Sequence, residues 1–255
     1  VIMDILYLII FFILGCFLGG FYTVLGERLA TEDYHIFPYR CNLCQQSLSF
    51  LESLPIFSYL FLRGKCRYCH KKIDILELLM ELFTGVLFAV SFYSFGFSWE
   101  LLIALGIVSL LIIVTVSDLN YLIIPDEVLI FFVLYFVIVQ FLIGGPILVL
   151  KRLLTGAFLF LLMYFIMWLG EKVLKKESLG GGDVKMMFLF GLVLDPLLGT
   201  ITIFLGSLFA LPMSLFLLYK NDEKMIPFGP FLLMAFAFIY FTKLTPDMIV
   251  AWLGI

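Results

Sequence analysis

Hydrophobic residues occur in long blocks along the chain, and short polar segments separate these blocks. A helix that crosses the hydrocarbon core of a bilayer needs about 20 largely apolar residues. We predict a spanning helix in each of eight blocks: residues 4–25, 76–95, 99–117, 128–145, 153–170, 186–198, 199–219 and 228–243. The sixth block is short and contains Asp195-Pro196, so seven crossings is the alternative. The pattern predicts an all-α, polytopic membrane helix bundle.

The composition agrees with an integral membrane protein. Of the 255 residues, 64% are hydrophobic and 14% are charged, and the mean hydropathy is +1.16. Soluble domains have about 45–50% apolar and about 25% charged residues. The net charge is −3, and no basic stripe indicates nucleic-acid binding. The expected surroundings are therefore a lipid bilayer.

The distribution of basic residues predicts the orientation. If the N-terminus lies outside, only three of the 16 Lys and Arg residues fall outside: Lys151, Arg152 and Lys243. This agrees with the preference of basic residues for cytoplasmic loops. Asp118 and Asp183 then lie on the cytoplasmic side. We divide the chain into a first transmembrane helix (1–30), a cytoplasmic loop (31–75) and a membrane-embedded bundle (76–255).

The cytoplasmic loop contains four cysteines in two CxxC pairs, "CNLC" and "CRYC": Cys41, Cys44, Cys66 and Cys69. Two such pairs allow four thiolates to surround Zn²⁺ as a tetrahedron. Two disulfides are the alternative, but thiols stay reduced in the cytoplasm. We predict a small four-cysteine insert that binds zinc or a similar thiophilic metal. Its role is structural, because four sulfurs leave no open catalytic position.

Three further histidine and cysteine residues lie outside the two CxxC pairs. His70 follows Cys69 directly and is an alternative ligand, although an exposed loop residue is the simpler interpretation. His35 has no partner pattern. Cys16 lies inside the first predicted span, where we interpret it as a small buried apolar residue.

Two aspartates stand at the ends of apolar segments. Asp118 ends the third predicted span, and Asp183 begins the sixth. An ionised carboxylate within a bilayer costs roughly 2.5–3.5 kcal/mol or more, so such acids are functional candidates. Because the two spans run in opposite directions, their cytoplasmic ends can meet. Neighbouring carboxylates share a proton, so that one activates a water and the other acts as an acid. This pair predicts aspartic peptide hydrolysis.

Gly180, Gly181 and Gly182 precede Asp183 in "SLGGGDVKM". Glycine adopts backbone conformations that other residues avoid. We expect these glycines to use such conformations and to leave room for a substrate strand beside Asp183. A flexible loop, with Asp183 as a helix cap, is the alternative.

Two charged residues lie near these motifs. Lys185 follows Asp183 closely, so it is near enough to contact a substrate or a phosphate head group. Extension of its side chain to the membrane interface is the alternative. Asp126 follows Pro125 and precedes an apolar run, so we assign it mainly to helix capping.

With these motifs, the chain resembles the type IV prepilin peptidases, the GxGD-type membrane aspartic proteases of bacteria. The cysteine loop "LPIFSYLFLRGKCRYC" is similar to the family's loop, and "PFGPFL" at 227–232 is similar to its late turn. Asp118 in "SDLNYLIIPDE" and Asp183 in "GGGDVKM" resemble the family's two aspartates. The resemblance covers nearly the whole chain. Gly20 and Thr23 depart from it, because the family usually has Ser and Asn there.

The resemblance implies a two-part enzyme in the bacterial cytoplasmic membrane, with its active site facing the cytoplasm. The aspartates would cleave prepilins or pseudopilins just after a glycine that ends a short basic leader. Many family members then methylate the new N-terminal residue, using S-adenosylmethionine. We place this methyltransferase activity near Gly64 and Glu81 on the resemblance alone. The departures at Gly20 and Thr23 lie in the same N-terminal part.

Other functional classes compete with this interpretation. A presenilin-like GxGD intramembrane protease has a similar aspartate, but the four-cysteine loop is not expected there. A membrane carrier with paired acids predicts acids near the bilayer midplane and internal repeats, which the sequence lacks. A non-enzymatic assembly factor with a zinc ribbon leaves the pairing of Asp118 with Asp183 unexplained.

Overall fold

A computed structural model describes residues 2–31, 44, 46, 65–70, 75–175, 179–220 and 226–253. Every secondary-structure element of several residues in this part of the chain is an α-helix, which confirms the all-α prediction. The helices are α1 (Ile2–Ala30), α2 (Ile75–Phe95), α3 (Trp99–Tyr121), α4 (Asp126–Leu174), α5 (Gly181–Val193), α6 (Pro196–Tyr219), α7 (Gly229–Phe241) and α8 (Pro246–Leu253). Contacts group them into two units, Val1–Phe97 and Ser98–Ile255.

Within the described part of the chain, five helices are long and apolar enough to cross a membrane. The spanning stretches are Met3–Ala30, Leu78–Phe95, Trp99–Tyr121, Asp126–Val173 and Pro196–Leu217. Both α5 and α7 are apolar but have only 13 residues each. The chain is therefore a polytopic helical membrane protein.

A sharp turn interrupts α4 near its middle. Gly144 and Gly145 have non-helical backbone angles, and the φ of Gly145 is 68°. Pro146 follows, and proline has no N–H to continue the helical hydrogen-bond ladder. An unbroken helix of 49 residues would be about 74 Å long, more than twice the roughly 30 Å hydrocarbon core. The turn divides α4 into residues 126–143 and 146–174.

The first half of α4 runs in the same direction as α5. Near the start of both helices, the Nζ atom of Lys185 bonds the carboxylate of Asp126. Further along both, the side-chain amide of Gln140 donates to the carbonyl oxygen of Leu192 at 2.9 Å. Residues near the two starts pair with each other, and so do residues further along, so the two segments are parallel.

The second half of α4 runs against α5. Arg152, near its beginning, bonds Asp195 just beyond the end of α5 at 2.9 Å. Gly156 then lies against Gly191, so closely that a Cβ on Gly191 would lie 2.5 Å from the Cα of Gly156. Such close backbone approach at small residues is typical of membrane helix pairs. The halves of α4 thus flank α5 in opposite directions and correspond to the predicted spans at 128–145 and 153–170.

The unit Ser98–Ile255 has its core around α3 and α5, which bury most of their side chains. The rings of Phe190 and Phe236 stack with their centroids 4.3 Å apart and join α5 to α7. At one end of this unit, the hydroxyl of Tyr240 on α7 donates to the carbonyl oxygen of Glu100 on α3. At the other end, the last turn of α3 meets the first residue of α7.

The unit Val1–Phe97 is built on the tight packing of α1 against α2. A Cβ on Gly15 would lie 2.8 Å from the Cα of Gly85, and one on Gly19 would lie 2.9 Å from the Cα of Glu81. Small residues four positions apart allow this approach. Cys16 is buried in the same contact, which confirms its interpretation as a buried apolar residue.

Candidate active site

Asp118 lies in the last turn of α3 and is only 6% exposed. Its Oδ2 accepts a hydrogen bond from the backbone N–H of Gly229 at 3.1 Å. The helix ends just beyond it, because Leu122 adopts a left-handed conformation (φ 56°) and its N–H donates to the carbonyl oxygen of Asp118. The carboxylate is thus held at the junction of α3 with the start of α7.

Asp183 lies in the first turn of α5 and is also 6% exposed. Its N–H donates to the carbonyl oxygen of Gly180 at 3.1 Å, and no side chain caps this helix. Gly180, and not Asp183, is therefore the N-cap residue of α5. Its Oδ1 is buried and has no hydrogen-bond partner among the described residues.

The two carboxylates influence each other electrostatically. Burial and, after it, the negative charge of Asp118 raise the pKa of Asp183 to about 7. Both effects disfavour a second negative charge in the same protected space. A pair that holds one proton and one negative charge can supply both the acid and the base that general acid–base catalysis requires.

Ile124 contacts the start of α5, which carries Asp183, and the start of α7, which binds Asp118. A Cβ on Gly182 would lie 2.9 Å from the Cβ of Ile124, and one on Gly229 would lie 3.3 Å from its Cδ1. The side chain of Ile124 therefore lies between the start of α5 and the start of α7. Ile124 was not predicted from the sequence, where its only signal is its place between Asp118 and Asp126.

The three glycines before Asp183 do not use unusual backbone conformations, so that part of the prediction is wrong. Gly180 has φ −69° and ψ 136°, and the next two glycines belong to α5. Two of the three are instead required for space. A Cβ on Gly180 would lie 3.2 Å from Oδ2 of Asp183, and Gly182 contacts Ile124, whereas Gly181 faces open space.

Lys185 and Asp126 form an ion pair at the same end of the unit. The Nζ of Lys185 lies 2.6 Å from Oδ1 and 2.8 Å from Oδ2 of Asp126, and both side chains are about half exposed. The N-cap of α4 is Pro125, without a side-chain cap hydrogen bond. The assignment of Asp126 to capping is therefore wrong, because its carboxylate binds Lys185.

Three of the four predicted ligand cysteines lie together. The sulfurs of Cys44, Cys66 and Cys69 are all within 4.8 Å of one another. Cys44 and Cys66 are separated by 4.0 Å, about twice the length of a disulfide bond. Sulfurs around tetrahedral zinc lie roughly 3.8 Å apart, so a small contraction suffices for metal binding. Cys41 lies outside the described residues.

The backbone around Cys66 and Cys69 forms a tight turn. The N–H of His70 donates to the carbonyl oxygen of Cys66 at 3.0 Å, and His70 has a positive φ of 54°. His70 is exposed, which confirms its interpretation as a loop residue, and His35 lies outside the described residues. The turn brings the two sulfurs of this pair to the same side.

Of the two residues assigned to methylation, only Glu81 is described. It is 8% exposed on α2, beside Gly19 of α1. The hydroxyl of Thr23 donates to the carbonyl oxygen of Gly20 at 2.8 Å. The two residues that depart from the family pattern are thus hydrogen-bonded to each other. Gly64 lies outside the described residues. The assignment of methylation to this region stays a prediction.

Comparisons with known proteins agree with these features. A model of the bacterial Peptidase A24 N-terminal domain matches residues 13–95. A prepilin leader peptidase/N-methyltransferase of Bacillus subtilis is 37% identical over 189 residues, covering 72% of this chain and 73% of the relative. A protein with the same name from Vibrio cholerae is 28% identical, covering 94% of this chain and 98% of the relative. No solved structure matches.

The second family model covers the part of the chain that carries both aspartates. It describes the type IV leader peptidase family and matches residues 105–215. Asp118 and Asp183 both fall inside this range. Together with the coverage of the Bacillus subtilis relative, this match shows that the chain belongs to the type IV leader peptidase family.

Proposed function

We propose that this protein is a membrane aspartic endopeptidase that removes the leader of type IV prepilin-like precursors and then methylates the new N-terminus. One observation carries the peptidase proposal: two buried carboxylates, Asp118 and Asp183, stand at the same end of one helical unit. Membership in the leader peptidase family and the names of the relatives support the substrate class and the methylation.

In the proposed mechanism of peptide hydrolysis, one carboxylate is the general base and the other is the general acid. The ionised carboxylate takes a proton from a water that attacks the scissile carbonyl carbon, while the protonated one donates to the carbonyl oxygen. The C–N bond then breaks, and the leaving amine takes the proton held by the base. The lack of a side chain at Gly180 leaves room for a substrate strand beside Asp183, because a side chain on Gly180 would crowd the carboxylate of Asp183.

The proposed topology has eight crossings, with the N-terminus outside and the aspartates at the cytoplasmic face of the bacterial inner membrane. The reversal within α4 supports two crossings there. Each of α5 and α7 has 13 residues and extends about 20 Å, less than a roughly 30 Å hydrocarbon core. The seven-crossing alternative leaves α5 as a segment that does not fully cross.

The proposal also includes a structural zinc site formed by cysteines, and S-adenosylmethionine as the methyl donor. Cys44, Cys66 and Cys69, with Cys41 as the fourth ligand, would hold a structural zinc ion. The spacing of the three described sulfurs supports this assignment. S-adenosylmethionine would supply the methyl group, and we retain the region of Gly64 and Glu81 for that activity.

The proposed function is tested with purified protein in lipid nanodiscs and a synthetic prepilin segment that contains its leader. We expect a product whose N-terminus directly follows the leader glycine, and S-adenosylmethionine to add one methyl group to it. Mass spectrometry of the product measures both events. A substrate with leucine in place of that glycine is the matched control. Cleavage within the apolar segment would favour a presenilin-like protease, and an intact substrate would favour the carrier with paired acids.

The alkaline limit of cleavage should follow the protonation of Asp183. Its raised pKa of about 7 keeps the acid form below that pH, and the proton is lost as the pH rises through this value. We expect kcat to decrease about tenfold for each pH unit above the limit, because only the protonated fraction donates. The measurement is kcat from pH 5 to 9. A constant kcat across that range would contradict the proton-donor role.

A further inference from the structure

Gly229 forms a backbone hydrogen bond to one of the two candidate catalytic aspartates. Its backbone N–H donates to Oδ2 of Asp118 at 3.1 Å, in a buried contact between residues 111 positions apart. Gly229 is also the first residue of α7. A Cβ at this position would lie 2.9 Å from the same Oδ2 atom. Only glycine leaves the carboxylate in its observed place.

The first turn of α7 has one backbone donor directed at Asp118. Pro230 has no N–H, and the N–H groups of Phe231 and Leu232 both donate to the carbonyl oxygen of Phe228. The first N–H groups of a helix lack intrahelical acceptors and carry partial positive charge. The N–H of Gly229 gives this favourable interaction to Asp118, where it stabilises the ionised carboxylate.

Asp183 also lies at a helix N-terminus and has a backbone hydrogen bond with Gly180, but its burial outweighs both effects and disfavours a negative charge there. Its Oδ1 is buried and has no hydrogen-bond partner among the described residues. A buried, unbonded carboxylate oxygen strongly favours the protonated form, because desolvation disfavours charge. Two carboxylates that share one proton are thus placed in unequal surroundings.

We propose that Gly229 is a positioning residue that holds the negative charge of the pair on Asp118 and leaves the shared proton on Asp183. This inference rests on the proposed peptidase function and assigns its two roles. Asp118 is then the base that takes a proton from water, and Asp183 donates its proton to the scissile carbonyl oxygen. When the C–N bond breaks, Asp118 passes its proton to the amine, and a hydroxyl proton of the gem-diol returns to Asp183.

The titratable groups around Asp118 are few. Asp183 on α5 interacts electrostatically with Asp118, and Lys185 on α5 is paired with Asp126 at the start of α4. On α7, the only titratable residue is Tyr240, at the opposite end, where it bonds Glu100. Tyr121 lies one turn beyond Asp118 and is exposed. The acidic limit of activity therefore reports the ionisation of the aspartate pair.

The test is Gly229→Ala in the full-length protein in nanodiscs, with cleavage measured from pH 4 to 9. The added methyl group displaces the carboxylate from the N–H, and a hydrogen bond to a charged group contributes about 10-fold to 100-fold. We expect kcat to decrease by that factor with an unchanged KM, and the acidic limit to move to higher pH. Unchanged kcat and an unchanged acidic limit would overturn the inference.

Gly206→Ala is the matched control. A Cβ on residue 206 would lie 2.8 Å from Cδ2 of Leu232, so the substitution crowds α7 from α6 and does not contact Asp118. We expect Gly206→Ala to keep the acidic limit of the wild type. An equal shift in both variants would mean that displacement of α7, and not the lost hydrogen bond, causes the effect, and the inference would fail.

Infrared difference spectroscopy tests the position of the proton without relying on the folding of Gly229→Ala. At neutral pH, we expect Asp183→Asn to lose a protonated-carboxyl C=O band that Asp118→Asn retains. The reverse pattern, or loss from both variants, would overturn the inference. Failure here leaves the peptidase proposal intact if both variants have lost cleavage. Persistent cleavage in either variant would refute the peptidase mechanism itself.

Discussion

Asp118→Asn and Asp183→Asn are each expected to reduce cleavage of a prepilin by about 10³-fold or more, because general acid–base catalysis by such groups contributes about 10²–10⁴-fold each. Asparagine resembles aspartate in size, but it neither takes a proton from water at neutral pH nor donates one as a carboxylic acid. Both residues are buried in the same helical unit, so the two losses should be similar. The measurement is single-turnover cleavage followed by gel shift and mass spectrometry.

Asp195→Asn is the matched control for these variants. Asp195 is half exposed and bonds Arg152 at the opposite end of α5. The same chemical change at that end should leave cleavage near the wild-type rate, because it lies far from the two aspartates and keeps the shape of the side chain that Arg152 contacts. If Asp195→Asn lost cleavage as completely as the dyad variants, a general loss of fold would explain all three results.

A precleaved substrate separates the two proposed activities. Both dyad variants should still methylate a pilin segment that begins directly after the leader, because Glu81 and the cysteines belong to the other unit. Methyl transfer to the precleaved segment is read by mass spectrometry. Normal cleavage by either variant would refute the aspartate mechanism and reopen the carrier and assembly-factor interpretations.

The helices and the two aspartates were predictable from sequence because their signals are local. Apolar length determines which segments form helices in a bilayer. The Gly-Gly-Pro turn at residues 144–146 lies at the junction of two separately predicted spans. Asp118 and Asp183 were identifiable because a charged residue at the end of an apolar segment is unusual and costly.

The details of the candidate site depend on contacts between residues far apart in sequence. Asp118 and Gly229 are separated by 111 positions, and Asp126 and Lys185 by 59. No local pattern specifies such pairs. The error about the glycines has the same origin, because a sequence does not show whether a glycine is required for its φ angle or for the space that Gly180 leaves beside Asp183.

Replacement of any metal-ligand cysteine is expected to remove zinc from the protein. Each of Cys44→Ser, Cys66→Ser and Cys69→Ser should weaken zinc binding beyond the roughly 10–100-fold loss caused by altering an outer-shell partner. A weak hydroxyl ligand replaces a thiolate, and zinc binding provides folding free energy in small sites of this type. Zinc content is measured by inductively coupled plasma mass spectrometry of the purified protein, and protease sensitivity reports the folding of residues 31–75.

The fourth ligand is determined by two further variants and one control. Cys41→Ser should lose zinc as the other three do, whereas His70→Ala should retain it, because His70 supplies its backbone N–H to the turn at Cys66. Cys16→Ala is the control, since Cys16 is buried between α1 and α2. Zinc loss in His70→Ala but not in Cys41→Ser would establish a three-cysteine, one-histidine site. A wild-type protein without zinc, in which the cysteine pairs resist alkylation until reduced, would instead support the disulfide alternative.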